Sequence, residues 1–232
     1  MRTLPLLLAV ALAVPSALNA QGQLHEPTVA EHRVLDPAIS AITRVLDRFG
    51  DDDWDKTSDS FGDNVLVSDD PDVPLDIDQN FERTYSVRQD SNRWHAVIEP
   101  LMQQLQQSMA GSDYAAQRRV GGKIRSLSTV TVDVYINRAD FSVDTTVTGT
   151  TRVTIAGAAL AYRVPPDSGA ESQGPTYTIG FGKWRGQRFA FVHRPKSAAI
   201  ENIVVRITGA DDRIRDVLAH VDWRMLGSVL TP

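Results

Sequence analysis

The side chains best spaced for chemistry in this sequence carry oxygen. Asp76-x-Asp78-x-Asn80 places oxygens at alternate positions and Glu82 follows, as at the start of an EF-hand calcium loop. Two residues break the pattern. Phe81 stands where glycine must make the sharp turn, and Val87 stands where a bidentate glutamate must close the cage. What is left is a looser oxygen cage for a hard cation, set against the plainer expectation of an acidic loop in water.

Nitrogen ligands are scarce. The histidines are His25, His32, His95, His193 and His220, and no two have the i, i+4 spacing of a helical zinc pair. His25-Glu26-Pro27 resembles the opening of a zinc-protease motif, but the second histidine is missing and Pro27 breaks the helix that motif needs. The chain has no cysteine, which excludes disulfides, thiolate metal sites, iron–sulfur ligation and cysteine nucleophiles.

Nucleophile and phosphate motifs are missing too. Ser168-Gly169 and Ser228 lack the flanking glycines of a nucleophile elbow. Gly121-Gly122-Lys123-Ile124 has neither the spacing nor the hydroxyl of a phosphate loop, and Gly180-Phe181-Gly182 is an isolated pair inside a strand. No catalytic, cofactor-binding or metal-ligating residue is assigned, and no cofactor is expected. An enzyme of unrecognised type would have to gather His193 or His220 with carboxylates. Trp94, Trp184, Trp223 and Tyr177 are large enough to line a ligand groove, although aromatics of a sheet and its covering helices more often fill the core.

Charge is unevenly spread. Residues 51–82 hold twelve acidic side chains and one base, Lys56, so this segment carries −11 of a chain whose net charge is −5. The pattern predicts an acidic loop on a mildly basic body. Basic residues are scattered without a stripe, which argues against a nucleic-acid partner.

The first residues read as an export segment. Arg2 precedes an apolar run from Leu4 to Val14, and the small residues that follow offer cleavage after Ala17 or Ala20. The run is too short to cross a bilayer, which takes about 20 residues, and no later stretch is long and apolar enough. Residues 1–20 are thus expected to be a signal peptide, and the protein periplasmic or secreted. A lipid-modified cysteine is excluded by composition.

The positioning elements follow from periodicity. Residues 21–35 read as a flexible lead-in to a single domain over 36–232. Asp36-Pro37 reads as the start of a helix carrying Ile39, Ile42, Val45, Leu46 and Phe49, stopped by Gly50. Asn64-Val65-Leu66-Val67 is a candidate short strand inside the acidic segment. Residues 92–99 fit either strand or helix. Pro100 favours a hairpin over 82–98 followed by a helix over 100–110, then a second helix opened by Ser112 and ended by Gly121-Gly122.

From Leu127 the period becomes two. Val130, Val132, Val134 and Ile136 predict a strand wet on one side. Apolar parity switches between Val153–Ile155 and Leu160–Val164, which predicts a β-bulge at Gly157. Strands follow at Tyr177–Phe181, a hairpin about Arg185-Gly186-Gln187, and a last strand at Ile203–Ile207. Asp211 then caps a C-terminal helix bearing Ile214, Val217, Leu218 and Val221.

The expected class is α+β: a single antiparallel, mostly consecutive sheet with helices packed on one face and a C-terminal helix. The expected function is a non-catalytic exported binding or accessory protein, with a small apolar ligand held between sheet and helices as its leading occupant and another exported protein as a further partner. The alternatives are an interaction module whose 51–82 loop binds calcium or a basic partner, and the unrecognised enzyme.

Overall fold

In the computed structural model the described residues are 24–60, 65–68, 73–77, 81–138, 141, 143, 145–166, 173–186, 188–194 and 196–232. The expected signal peptide, Asp78, Asn80 and most of the loop after Pro165 lie outside them.

After β1 (Leu24–His25), helix α1 spans Val29–Leu46, eight residues earlier than the sequence reading placed its start at Pro37. The reason is a capping box. Thr28 Oγ1 accepts from the Glu31 N–H at 3.4 Å, and Glu31 Oε2 accepts from the Thr28 N–H at 2.6 Å. Pro37 therefore sits inside the helix and leaves the Arg33 carbonyl without its usual donor. Leu35, Ala38, Ala41, Ile42, Val45 and Leu46 form the buried face, and a 3₁₀ turn at Asp47–Phe49 ends at Gly50 as expected.

The acidic segment is partly structured. It contains β2 (Trp54–Asp59), β3 (Val67–Ser68) and β4 (Asp76–Ile77), with Val67, Leu75 and Ile77 buried. Three short strands pair antiparallel in the order β1-β3-β4. The apolar residues between the acids explain why the segment can fold onto the body: among the described residues Asp51, Asp52, Asp55 and Glu82 are exposed, while Val67, Leu75 and Ile77 reach the core.

After β5 (Phe81–Val87) the chain is helical, not a hairpin. A π-turn at Trp94–Ile98 runs into α2 (Glu99–Ala110), and the Glu99 N–H donates to the Trp94 carbonyl. The wide turn lies just ahead of Pro100, which has no N–H to give, so the proline sits within the first turn of α2 where it is tolerated. Helix α3 (Tyr114–Ser128) is capped by Asp113, whose carboxylate accepts from the Ala116 N–H at 3.0 Å. It continues through Gly121-Gly122, where the sequence reading ended it.

The remaining elements are β6 (Thr129–Ile136), β7 (Thr151–Arg152), β8 (Leu160–Val164), β9 (Thr176–Gly182), β10 (Trp184–Arg185), β11 (Arg188–Phe189), β12 (Asn202–Gly209), α4 (Asp211–His220) and α5 (Arg224–Ser228). Gly157 occupies the turn between β7 and β8 with φ +81, so the parity switch marks a chain reversal, not a bulge. The irregularity lies instead in β2, between Lys56 and Ser58.

Seven strands form one antiparallel sheet in the order β2-β5-β6-β12-β9-β8-β7. The order is not that of a simple meander: β3 and β4 leave the sheet between β2 and β5, and the last strand, β12, inserts between β6 and β9. Alongside this sheet stand the β1-β3-β4 sheet and the β10–β11 hairpin, so the α+β class holds with more than one sheet. Gly209 closes β12 at φ +138, where a Cβ would strike the Thr129 carbonyl oxygen of the neighbouring strand.

Register assigns the faces. Phe81, Val134, Val205, Ile179 and Ala161 align across five strands and face the helices. They join buried side chains of α1, α4 and α5, including Leu35, Ile42, Ile214 and Leu226, in one core. The other face carries a smaller cluster of Leu160, Phe189 and Val204, with Tyr135, Tyr162 and Trp184 packed on it. Beyond that cluster it is polar: Thr84, Thr131, Thr208 and Thr176 form a row across four strands.

Candidate functional site

A groove of about 520 Å³ opens on the outer side of α1. One wall is the helical stripe His32, Leu35, Asp36 and Ile39, at the i, i+3, i+4, i+7 spacing that puts residues on one side of a helix. Glu26 and Pro27 form the entry side, and Val65 and Leu66 face the helix from the acidic segment.

Strand pairing brings these distant pieces together. Leu24 pairs with Ser68 and His25 with Val67, so the residues that follow β1 run beside those that precede β3. Pro27 has no N–H with which to extend the ladder. The pairing stops at His25, and the chain turns into the Thr28 cap. Val67 and Ile77 are buried in the core, which anchors the outer wall.

The groove has an apolar floor and a polar rim. Leu35 is buried, and Ile39, Val65 and Leu66 are half-buried. On the rim His32 Nδ1 lies 3.1 Å from Asp36 Oδ1, both side chains being largely exposed. An ionised carboxylate can only accept, so Nδ1 is the donor. Glu26 adds a second carboxylate. Among the described residues lining the groove there is no lysine or arginine. Its volume falls within the roughly 300–1,000 Å³ range of small-molecule sites.

The residues singled out from sequence do not converge. Asp76 lies in β4 opposite Ser68, while Glu82 lies in β5 opposite Asp133, and Asp78 and Asn80 are outside the described residues. Among the described residues no group of three or more His, Asp or Glu is placed to hold a metal ion. His193 lies in the segment after β11 and His220 at the end of α4. Glu201, itself buried, accepts from the Val192 and His193 N–H groups at 2.5 and 2.6 Å and lies 3.1 Å from His193 Nδ1, an anchor for the segment after β11. His220 Nδ1 contacts the Asp216 backbone carbonyl at 2.8 Å on the exposed side of α4, and His95 Nδ1 lies 3.0 Å from the Glu99 side-chain carboxylate one turn along.

The four aromatics are likewise dispersed. Trp223 is buried in the main core and Trp94 packs against it, whereas Trp184 meets Phe189 edge-on in the cluster on the opposite face. Tyr177 faces the main core, and its hydroxyl donates to Asp211 Oδ1 at 2.7 Å. Burial, the hydrogen bond to Asp211 and that residue's negative charge push the Tyr177 hydroxyl up to about 12.

Other charged groups are structural ties. Arg83, only 5% exposed at its side chain, reaches Asp47 at 2.8 Å and Asp59 at 3.0 Å. Beside it the Tyr85 hydroxyl donates to the Leu46 carbonyl at 2.5 Å, and burial pushes that hydroxyl up. These contacts bind β2 and β5 to the end of α1. A second concavity of about 330 Å³ lies on the polar sheet face, where Arg206 stands opposite Asp133 and Thr129, Thr131 and Thr208 line it. Among the described residues its lining is polar apart from Gly209, unlike the apolar floor beside α1.

Sequence reasoning missed the α1 groove because it treated residues 21–35 as a lead-in. Thr28-x-x-Glu31 was the available signal: it is the capping-box pattern, and it places His32, Asp36 and Ile39 on one helix.

No protein-family model, curated protein or solved structure matches this chain. Among the described residues no helix is long and apolar enough to cross a membrane.

Proposed function

We propose that the protein is exported, to the periplasm or beyond, and binds a small molecule with an apolar body in the groove beside α1. The observation that carries the reading is the groove itself: about 520 Å³ of space over Leu35, Ile39, Val65 and Leu66 with a few polar groups on its edge. Few convergent polar groups over an apolar floor is the usual composition of a ligand site. The polar rim would orient the ligand while the floor supplies affinity through surface removed from water. The place of the ligand differs from the sequence expectation. Between the sheet and α1 the space is occupied by core side chains such as Ile42, Phe49 and Val205, so the ligand lies outside that layer.

Native mass spectrometry of protein purified from its own host tests the reading. The expected result is a co-purifying small-molecule mass that is lost in Leu66→Glu, a change on the half-buried groove wall. No such mass, together with no rise in Tm from a panel of apolar probes, contradicts it.

A further inference from the structure

We infer that the groove selects a lipophilic cation, an apolar chain or ring ending in a primary ammonium group. This rests on the reading that the groove binds small molecules and names the class. Every polar side chain lining it among the described residues can act as an acceptor. Glu26 and Asp36 are carboxylates, which only accept. His32 Nδ1 lies 3.1 Å from Asp36 Oδ1, and in the tautomer that gives Nδ1–H to this carboxylate the ring has Nε2 left to accept.

A ligand head group that suits such a rim must donate. An alcohol offers one donor and no charge, and a carboxylate would meet two like charges. An ammonium group offers three donors and a positive charge, while its tail covers Leu35, Ile39, Val65 and Leu66. The other helical pairs, His95 with Glu99 and His220 with Asp216, have the same spacing but do not border this floor. The combination of all-acceptor rim and apolar floor therefore belongs to the α1 groove, and charge complementarity chooses the occupant.

Isothermal titration of the signal-free protein with octylamine, 1-octanol and octanoate separates head group from tail. The expected order is octylamine tightest, about tenfold over octanol, with octanoate weakest, because hydrogen bonds to charged groups are worth more than neutral ones. Glu26→Gln/Asp36→Asn brings octylamine down to the octanol value and leaves octanol unchanged. Asp52→Asn/Asp55→Asn, which removes the same charge outside the groove, leaves octylamine binding intact. Octanol equal to octylamine, or equal losses in the two double variants, overturns the cation inference while the groove reading stands. Absence of binding by all three compounds overturns both the cation inference and the groove reading.

Discussion

The Tyr177 hydroxyl donates to Asp211 Oδ1 at 2.7 Å, joining the sheet to the first turn of α4. Asp211 also holds Arg163 at 3.1 Å and Arg215 at 3.1 Å, so its carboxylate serves these partners rather than capping its own helix. Ala210 occupies the cap position without a side-chain bond. Tyr177→Phe is expected to lower stability by about 1–2 kcal/mol, because Asp211 loses a hydroxyl donor but keeps its two arginines. Urea unfolding at neutral pH measures it.

The same contact sets an alkaline limit. The folded state holds the Tyr177 proton up to about 12, above the ordinary tyrosine value of about 10. Its contribution is complete below about 10 and is lost as pH rises towards the folded value, since the unfolded chain releases its proton first. Stability measured across that interval should fall less steeply in Tyr177→Phe than in the wild-type protein. Equal slopes would contradict the assignment.

At the acid end the sign reverses. Burial pushes Asp212 up, but Arg93, which grips both carboxylate oxygens at 2.6 and 3.0 Å, outweighs it and holds the carboxyl below its usual range. That stabilisation is present above the unfolded value of about 4 and disappears as pH falls through the folded one. Arg93→Met should therefore be less stable at neutral pH and lose less further stability on acidification. Comparison of the two proteins' urea midpoints down the pH series checks this.

Asn137 is a buried polar crosslink between three parts of the chain. It is buried, at φ +53, and its Nδ2 donates to the Leu75 and Ala199 carbonyls at 2.8 Å each. Its Oδ1 accepts from the Glu201 N–H at 2.8 Å. Asn137→Ala leaves two buried carbonyls and an N–H unsatisfied in a backbone conformation that asparagine tolerates better than alanine. The expected loss is about 3 kcal/mol. Asn137→Asp should be worse, since a carboxylate would face the same two carbonyls. A urea midpoint within error of wild type for either variant would contradict this.

How far the sequence reveals these features depends on the range of the interaction. The alternation of Val130, Val132, Val134 and Ile136 follows directly from one wet and one dry face, and β6 folds as that alternation requires. Proline misled at Pro37, which fits a helix start locally, whereas the helix expected at Pro100 is present and the strand expected before it is not. A capping box at Thr28 and a π-turn before Pro100 decided the matter instead. Insertion of β12 between β6 and β9 depends on pairing such as Val205 with Val134, about which local periodicity is silent. The groove is harder still. It is assembled from residues 26–27, 32–39 and 65–66, and none of these pieces has a distinctive composition alone.

The capping box offers a check on how the groove wall is held. Thr28→Ala should cost about 1 kcal/mol and raise amide exchange in the first turn of α1, next to His32, without affecting Ile42 or Val45. Uniform protection along α1 in the variant would contradict it.

The central claim is that a small molecule with an apolar body binds beside α1, and amide chemical-shift mapping during a titration with octylamine tests it most directly. The account predicts saturable shifts concentrated at His32, Leu35, Asp36, Ile39, Val65 and Leu66. Shifts centred on the polar sheet face near Thr131 and Arg206, or no saturable shifts at all, would contradict it.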